Sequence, residues 1–365
     1  MKIQAAIARH PRAPMDIAQV DLEEPRADEV LVKVAAVGIC HTDLVMRDQY
    51  LPVPLPAVLG HEGSGVVERV GSAVTKVRPG DRVVMTFNAC GACPSCRDHQ
   101  LSYCHEFFPR NFFGRRPDGS TALKCEGVTV HSHVFGQSSF ASHALCREIN
   151  VVKVRDGVPL DLLGPLACGI QTGAGTVING LKIGPGKRLA VFGAGSVGLS
   201  AVMAARATGV GTIIAIDLNQ DRLDLALDLG ATHIVHAKAS DPVVEIVKIT
   251  GHGVDFAIDA TGLPAVIEQG TKVLAPRGTL ALVGASAPGQ TIPLDLVHMM
   301  SGGRSVRGVI EGESNADVFI PYLIDLYTQG RFPFDRLVTF YDFPDINTAL
   351  QDAEAGRAIK PILRL

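Results

Sequence analysis

Hydrophobic and polar positions divide the chain into stretches of different texture. From Met1 to about residue 169, short apolar runs are broken every few positions by Gly, Pro and polar clusters, beginning with "MKIQAAIARHPRAPMDIAQVDLEEP". That punctuation predicts many short strands and a β-rich domain. From Ile183 the texture changes to a Gly- and Val-rich α/β pattern. The segment "KRLAVFGAGSVGLSAVMAARATGVGTIIAID" predicts a strand over Arg188–Phe192, a turn, an Ala-rich amphipathic helix, and a second strand over Thr212–Ile216 that ends at Asp217. "GVDFAIDATG" and "GTLALVGAS" predict further strands, and the β/α alternation predicts a doubly wound parallel sheet. Beyond about Ile310, "DVFIPYLIDLYTQGRF" reads as an amphipathic helix, and "INTALQDAEAGRAIKPILRL" as a helix followed by a strand. No internal repeat or low-complexity segment interrupts this plan.

With 365 residues, 47% hydrophobic and 19% charged, the chain can build two domains with substantial cores. Trp is absent and aromatic residues make up 5%, so Val, Ala, Ile and Leu must fill those cores. A formal charge of −3 gives no electrostatic reason to expect nucleic acid or an anionic membrane as partner. The N-terminus lacks the apolar core of a signal peptide, and no run reaches the ~18 apolar residues that span a bilayer. These features lead to an expectation of a cytoplasmic protein, in whose reducing surroundings disulfides rarely persist.

That expectation sharpens the question posed by "CGACPSCRDHQLSYC", which holds four of the eight cysteines. The spacing Cys90-x2-Cys93-x2-Cys96-x7-Cys104 suits a closed tetrahedral zinc site that holds a loop in shape. An iron–sulfur cluster is the alternative, but bacterial ferredoxin loops bring the next cysteine after about three residues and before Pro. A closed four-thiolate site has no open position for chemistry. Other candidate ligands lie in "VGICHTDL" (Cys40), "LGHEGSGVVERVG" (His61, Glu62) and "GPLACGIQTGAG" (Cys168). Each alone reads as an ordinary core Cys or His. Two cysteines and one histidine together would leave a fourth position open, as a catalytic zinc requires.

In the α/β half, Gly193-x-Gly195-x-x-Gly198 follows a strand and opens a helix, and Asp217 lies 19 residues past the last glycine. This context, rather than the glycines alone, makes it a dinucleotide-binding fingerprint. Gly193 would make the turn, Gly195 would admit the pyrophosphate, and Gly198 would let helix and strand pack closely. Asp217 would accept the adenosine ribose hydroxyls, favouring NAD over NADP.

Taken together, these motifs resemble the zinc-dependent medium-chain alcohol dehydrogenases over essentially the whole chain, with segments most similar to the bacterial aryl-alcohol (benzyl-alcohol) dehydrogenases. The resemblance implies a GroES-like β-rich catalytic domain (1–169, with a four-cysteine lobe at 88–106). A Rossmann NAD-binding domain (170–309) follows, then a C-terminal return to the catalytic domain (310–365), with the active site in the cleft between domains. It implies two zinc ions per chain, one catalytic at Cys40, His61 and Cys168 and one structural at Cys90, Cys93, Cys96 and Cys104. Thr42 takes the position of the hydroxyl that bonds the substrate oxygen, Asp43 that of the group orienting the ligating His, and Glu62 that of a carboxylate able to approach the metal. Arg222 falls where relatives place a basic residue beside the ribose, and Lys360 where they place one on the pyrophosphate. A homodimer or homotetramer is also implied, as is a small alcohol or aldehyde as the partner in chemistry.

Two departures stand out. Val45 occupies a position where many relatives end the proton relay with His, and His41 replaces the Arg that many carry beside the pyrophosphate. His41 is therefore a candidate both for phosphate contact and for accepting the relayed proton. For substrate, "RNFFGRRPDGS", "HVFGQSSF" and "GVIEGES" resemble aryl-alcohol dehydrogenases. Phe107, Phe108, Phe112 and Phe113 would then either line a pocket for a planar unsaturated alcohol, such as benzyl alcohol or geraniol, or anchor a loop. S-hydroxymethylglutathione or a simple aliphatic alcohol is the alternative substrate. A non-catalytic binding protein of the same fold is disfavoured by the retained ligands, Thr42 and Asp217. His131, His133 and His143, together with Cys125 and Cys146, fall outside both metal sets, and the histidines read as loop polarity.

Overall fold

The structure, a computed structural model, describes residues 1–365. The chain divides into two units: Met1–Cys168 with Asn315–Asp325 and Asp335–Leu365, and Gly169–Ser314 with Leu326–Phe334. The second unit thus extends to Ser314 and also includes Leu326–Phe334, within the stretch expected to return to the first. The reason is packing: Phe332 and Phe334 are fully buried, Tyr327 packs on Phe334 at 4.9 Å, and Arg331 Nη2 bonds the Ala207 carbonyl at 2.9 Å.

The first unit holds two sheets. The five-stranded one runs Ala57–Val58, Lys2–Ala8, Asp16–Leu22, Leu123–Cys125, Val128–Val130 in space, with every pairing antiparallel. The seven-stranded one is built around Glu29–Gly38, which pairs with Glu62–Val70, His143–Arg147 and the C-terminal strand Lys360–Arg364. Only Lys33 of Glu29–Gly38 is exposed, so this strand is packed on both faces and reads as a continuous apolar run. Its neighbours are what bring residues far apart in sequence to one place: Gly38 pairs with Glu62 on one side and Ile362 on the other. The shared core is built from Val, Leu, Ile and Ala, with Phe87, Phe107, Phe112, Phe135 and Phe140 among them. Each fully buried aliphatic side chain contributes roughly 1.5–3 kcal/mol.

The second unit is a six-stranded parallel sheet in the order His233–His236, Thr212–Asp217, Arg188–Phe192, Val254–Asp259, Leu274–Leu282, Ser305–Gly308. Chain order reverses between Arg188–Phe192 and Val254–Asp259, the position where doubly wound sheets bind ligands beyond their strand ends. The helix Ser196–Ala207 begins beside that switch point, because Gly193-x-Gly195 turns the chain straight from strand into helix.

Candidate active site

Cys40 ends the loop after the strand Glu29–Gly38 and caps the short helix His41–Arg47. The helix carries Asp43 inward, fully buried. One of its carboxylate oxygens accepts the Cys40 backbone N–H (3.0 Å). The other accepts the Gly60 N–H (3.1 Å) and lies 2.9 Å from His61 Nδ1. A carboxylate only accepts, so Nδ1 carries a proton in this contact, which leaves Nε2 as the ring atom that could ligate. That Nε2 is buried and has no hydrogen-bond partner. The ligand atoms of Cys40, His61, Glu62 and Cys168 all lie within 4.8 Å of one another. The Cys40 thiol is held well below its ordinary range, chiefly by a hydrogen bond from Cys168, with burial opposing and His61 and Lys360 assisting. Two sulfurs, one of them already favouring thiolate, and an orphaned imidazole nitrogen form a donor set that fits Zn²⁺.

Glu62 is buried beside this set, and its charge is met by Lys360 rather than left bare. Lys360 Nζ lies 2.9 Å from both Glu62 oxygens and donates to the Ile39 carbonyl at 3.0 Å. Lys360 is 1% exposed. Burial disfavours its ammonium, yet Glu62 holds its pKa above the ordinary range. The pyrophosphate contact expected of Lys360 is therefore not what this arrangement provides; the C-terminal strand threads the lysine under the metal set. Thr42 Oγ1 stands 3.7 Å from Cys40 Sγ, within the same helical turn. His41, one residue earlier, is exposed. Thr86 Oγ1 donates to the Ala167 carbonyl at 2.8 Å, fixing the peptide just before Cys168.

The four sulfurs of Cys90, Cys93, Cys96 and Cys104 likewise lie within 4.8 Å of one another. Backbone N–H groups point at them: Cys90 N to Cys104 Sγ (3.2 Å), Cys93 N to Cys90 Sγ (3.2 Å) and His105 N to Cys93 Sγ (3.4 Å). The last of these is the main reason the Cys93 thiol is drawn down to about 6. Such a loop is shaped for a metal that needs thiolates.

The phenylalanines of the following helix, Phe107–Phe112, divide in their roles. Phe107 and Phe112 are buried, and Phe112 meets Phe135 edge-on at 5.2 Å; Phe108 and Phe113, the residue that ends the helix, are 52% and 38% exposed. The buried pair anchors the lobe to the core. His133, expected to be loop polarity, is also buried, tied to Ser132 Oγ at 2.7 Å and 3.7 Å from Glu29. His143 meets Glu68 at 3.1 Å.

In the second unit, Gly193 has φ +95° and makes the turn that most residues cannot. A Cβ on Gly198 would stand 1.8 Å from the Gly193 carbonyl oxygen, so this position must be glycine for the helix to start where it does. A Cβ added at Gly195 would meet no atom within 4 Å beyond its chain neighbours, so the backbone there is open on that side, as a pyrophosphate would need. Asp217 faces this turn. It accepts the Ala194 N–H at 2.6 Å and the Leu218 and Asn219 N–H groups at 2.7 and 2.9 Å. Arg222 sits in the first turn of the next helix, its backbone N–H capped by Asn219 Oδ1 at 3.3 Å.

Residues with no motif to announce them complete the first unit's site. Gln137 donates to the His61 and Met85 carbonyls and accepts the Gly63 N–H, and the Phe135 ring stacks on His61. The only sequence signal was a lone amide among small residues in "VFGQSSF".

Comparison with known proteins agrees with this geometry. Residues 26–156 match the alcohol dehydrogenase GroES-like domain and residues 196–328 the zinc-binding dehydrogenase domain. The chain is 49% identical over 362 residues to a geraniol dehydrogenase of Castellaniella defragrans, covering 99% of this chain and 97% of that one. It superposes with a TM-score of 0.97 and 48% identity on a benzyl alcohol dehydrogenase from Acinetobacter calcoaceticus. With an alcohol dehydrogenase zinc-binding domain protein from Burkholderia ambifaria the figures are 0.99 and 54%, and both comparisons cover 100% of this chain and 99% of the other. Identity of this extent, along with two metal-fit donor sets and a dinucleotide turn in one chain, means that the protein belongs to the zinc-dependent medium-chain alcohol dehydrogenase family.

Proposed function

We propose that this protein oxidises aryl or allylic primary alcohols, of the benzyl alcohol and geraniol type, reversibly to aldehydes with NAD. It would hold one zinc at Cys40, His61 and Cys168 and a second at Cys90, Cys93, Cys96 and Cys104. The observation that carries the reading is the buried Nε2 of His61, without a hydrogen-bond partner and grouped with two cysteines, in a chain alike over its full length to enzymes named for those two alcohols. When bound, the zinc supplies a positive charge that favours loss of the alcohol proton, and NAD supplies the hydride acceptor.

The chain's own residues do the rest. Asp43 keeps His61 in the tautomer that can ligate. Thr42 Oγ1, on the same turn as Cys40, accepts the alcohol proton and passes on its own. With Val45 unable to carry that proton further, exposed His41 takes it to solvent. Lys360 balances Glu62, so that the buried carboxylate adds no net charge to the site. In the second unit, the open backbone at Gly195 cradles the pyrophosphate and Asp217 exchanges its backbone bonds for the ribose hydroxyls, with Arg222 beside them. Its carboxylate would repel a 2′-phosphate, which is the basis for choosing NAD. We further read the protein as a cytoplasmic homodimer or homotetramer, to be measured by light scattering.

The test is kcat/KM with NAD⁺ across ethanol, hexanol, benzyl alcohol, geraniol and S-hydroxymethylglutathione. Benzyl alcohol or geraniol should exceed ethanol by at least about tenfold, the scale on which apolar pockets discriminate. A preference for ethanol or the glutathione adduct would overturn the substrate assignment.

A further inference from the structure

The segment His133–Phe140 has a backbone that is unusual for its composition. His133, Phe135 and Ser138 have φ of +67°, +50° and +54°, and Gly136 lies among them at +66°. Side-chain-bearing residues rarely adopt this conformation, and such clusters persist where surrounding structure imposes them. What imposes it here is a nearly continuous ladder onto residues 58–63. Ser138 Oγ donates to the Val58 carbonyl (2.6 Å), Phe140 N to Leu59 (3.0 Å) and Ser139 N to Gly60 (2.9 Å). Gln137 Nε2 donates to the His61 carbonyl (2.9 Å) and to that of Met85 (2.9 Å), while its Oε1 accepts the Gly63 N–H (3.1 Å). The left-handed turn also lays the Phe135 ring on the His61 imidazole, with centroids 4.5 Å apart and planes 28° apart. Phe112 backs Phe135 at 5.2 Å and 86°.

We infer that Phe135 and Gln137 are positioning residues for His61. The Asp43 hydrogen bond fixes one point of the imidazole but leaves the ring free to swing about the Nδ1···Oδ1 line. A flat ring stacked on one face removes that rotation, and the Gln137 amide, bonded to the His61 carbonyl and to the Gly63 N–H two residues on, fixes the backbone that follows the ring. The direction of the Nε2 lone pair is thereby set by a segment that supplies no ligand itself. Because the segment is backed by Phe112, the four-cysteine lobe contributes to the same alignment.

This inference rests on the metal reading above, so its test must separate the two. Enzyme loaded with Co²⁺ at both sites is compared as wild type, Phe135→Leu (volume kept, flat ring lost), Gln137→Met (shape kept, amide lost) and Phe343→Leu. The last is an equally buried core control outside the segment. Both positioning variants should change the alcohol-responsive cobalt d–d bands and lower kcat by about 10–100-fold, the usual cost of losing a partner behind a ligand. KM for NAD⁺ should stay within about twofold, as expected for a change confined to the metal site. Phe343→Leu should lower the melting temperature without moving bands or kcat. If Phe135→Leu does not fold, Gln137→Met decides alone. Bands and kcat equal to wild type, or changed no more than in Phe343→Leu, would overturn the inference. Wild-type enzyme that takes up only one cobalt per chain would overturn the metal reading and the inference with it.

Discussion

Asp217 and Asp43 show how much a single carboxylate can do when backbone N–H groups surround it. Asp43 is legible as a candidate in the sequence, three residues from Cys40, but its double role, bonding Cys40 and Gly60 as well as His61, is a product of the fold. Asp217 closes the turn through Ala194, and its proposed ribose contact is open to test. We predict that Asp217→Gly raises KM for NAD⁺ by about tenfold or more, the loss of a charge-assisted hydrogen bond or two, and allows measurable turnover with NADP⁺. Steady-state kinetics with both cofactors checks this; unchanged discrimination would remove Asp217 from the role. Lys360 teaches the opposite lesson. Its basic character was visible, but its partner Glu62 lies 298 residues away and could not be read.

Among the elements, the four-cysteine loop brings four sulfurs within 4.8 Å of one another, which is the basis for proposing a structural zinc there. It connects to the core through Asn111, whose side chain accepts the Asn88 N–H (2.8 Å) and donates to the Asn88 carbonyl (2.9 Å), and through Phe107 packed on Phe87 at 5.7 Å. Cys93→Ser should therefore lower zinc content by about one ion per chain and destabilise the lobe, because binding energy at a structural site is folding energy. Elemental analysis with thermal unfolding reads both; a full zinc complement in the variant would argue against the site. The Phe-rich helix after the loop was open to two readings from sequence, pocket wall or anchor. Burial decided for anchoring in the case of Phe107 and Phe112, which a linear pattern of four phenylalanines in seven residues could not distinguish from its exposed members.

Across the first unit as a whole, the buried pair Arg116–Glu29 locks the loop after the lobe to the central strand, with Arg116 Nε 2.6 Å and Nη2 3.0 Å from the two Glu29 oxygens. Burial pushes the Glu29 carboxyl up, but His133 and Arg116 overcome it and hold it at about 2. A depressed carboxyl contributes stability in full above its ordinary value near 4.5, and that stability is lost as pH falls through about 2. Melting temperature should thus fall over this acid window, and less steeply in Glu29→Gln. Arg116→Met at neutral pH should cost about 3–5 kcal/mol by stranding Glu29, and adding Glu29→Leu should recover much of it. Denaturant unfolding monitored by circular dichroism tests this, and an Arg116→Met protein as stable as wild type would exclude the pair from holding the fold.

The sequence by itself determined what depends on local spacing: the strand–turn–helix of the nucleotide motif, the grouping of four cysteines on one loop, and the order of β-rich and α/β halves. These follow from periodicity and from the reach of a few residues, which tertiary context does not alter. Only the tertiary structure decided what depends on contacts across the chain: the Glu62–Lys360 pair, the Gln137 amide bonding His61 from 76 residues away, the stacking of Phe135 and the inclusion of Leu326–Phe334 in the second unit. Such contacts are set by strand register and core packing, and many different sequences satisfy the same local pattern while meeting different neighbours.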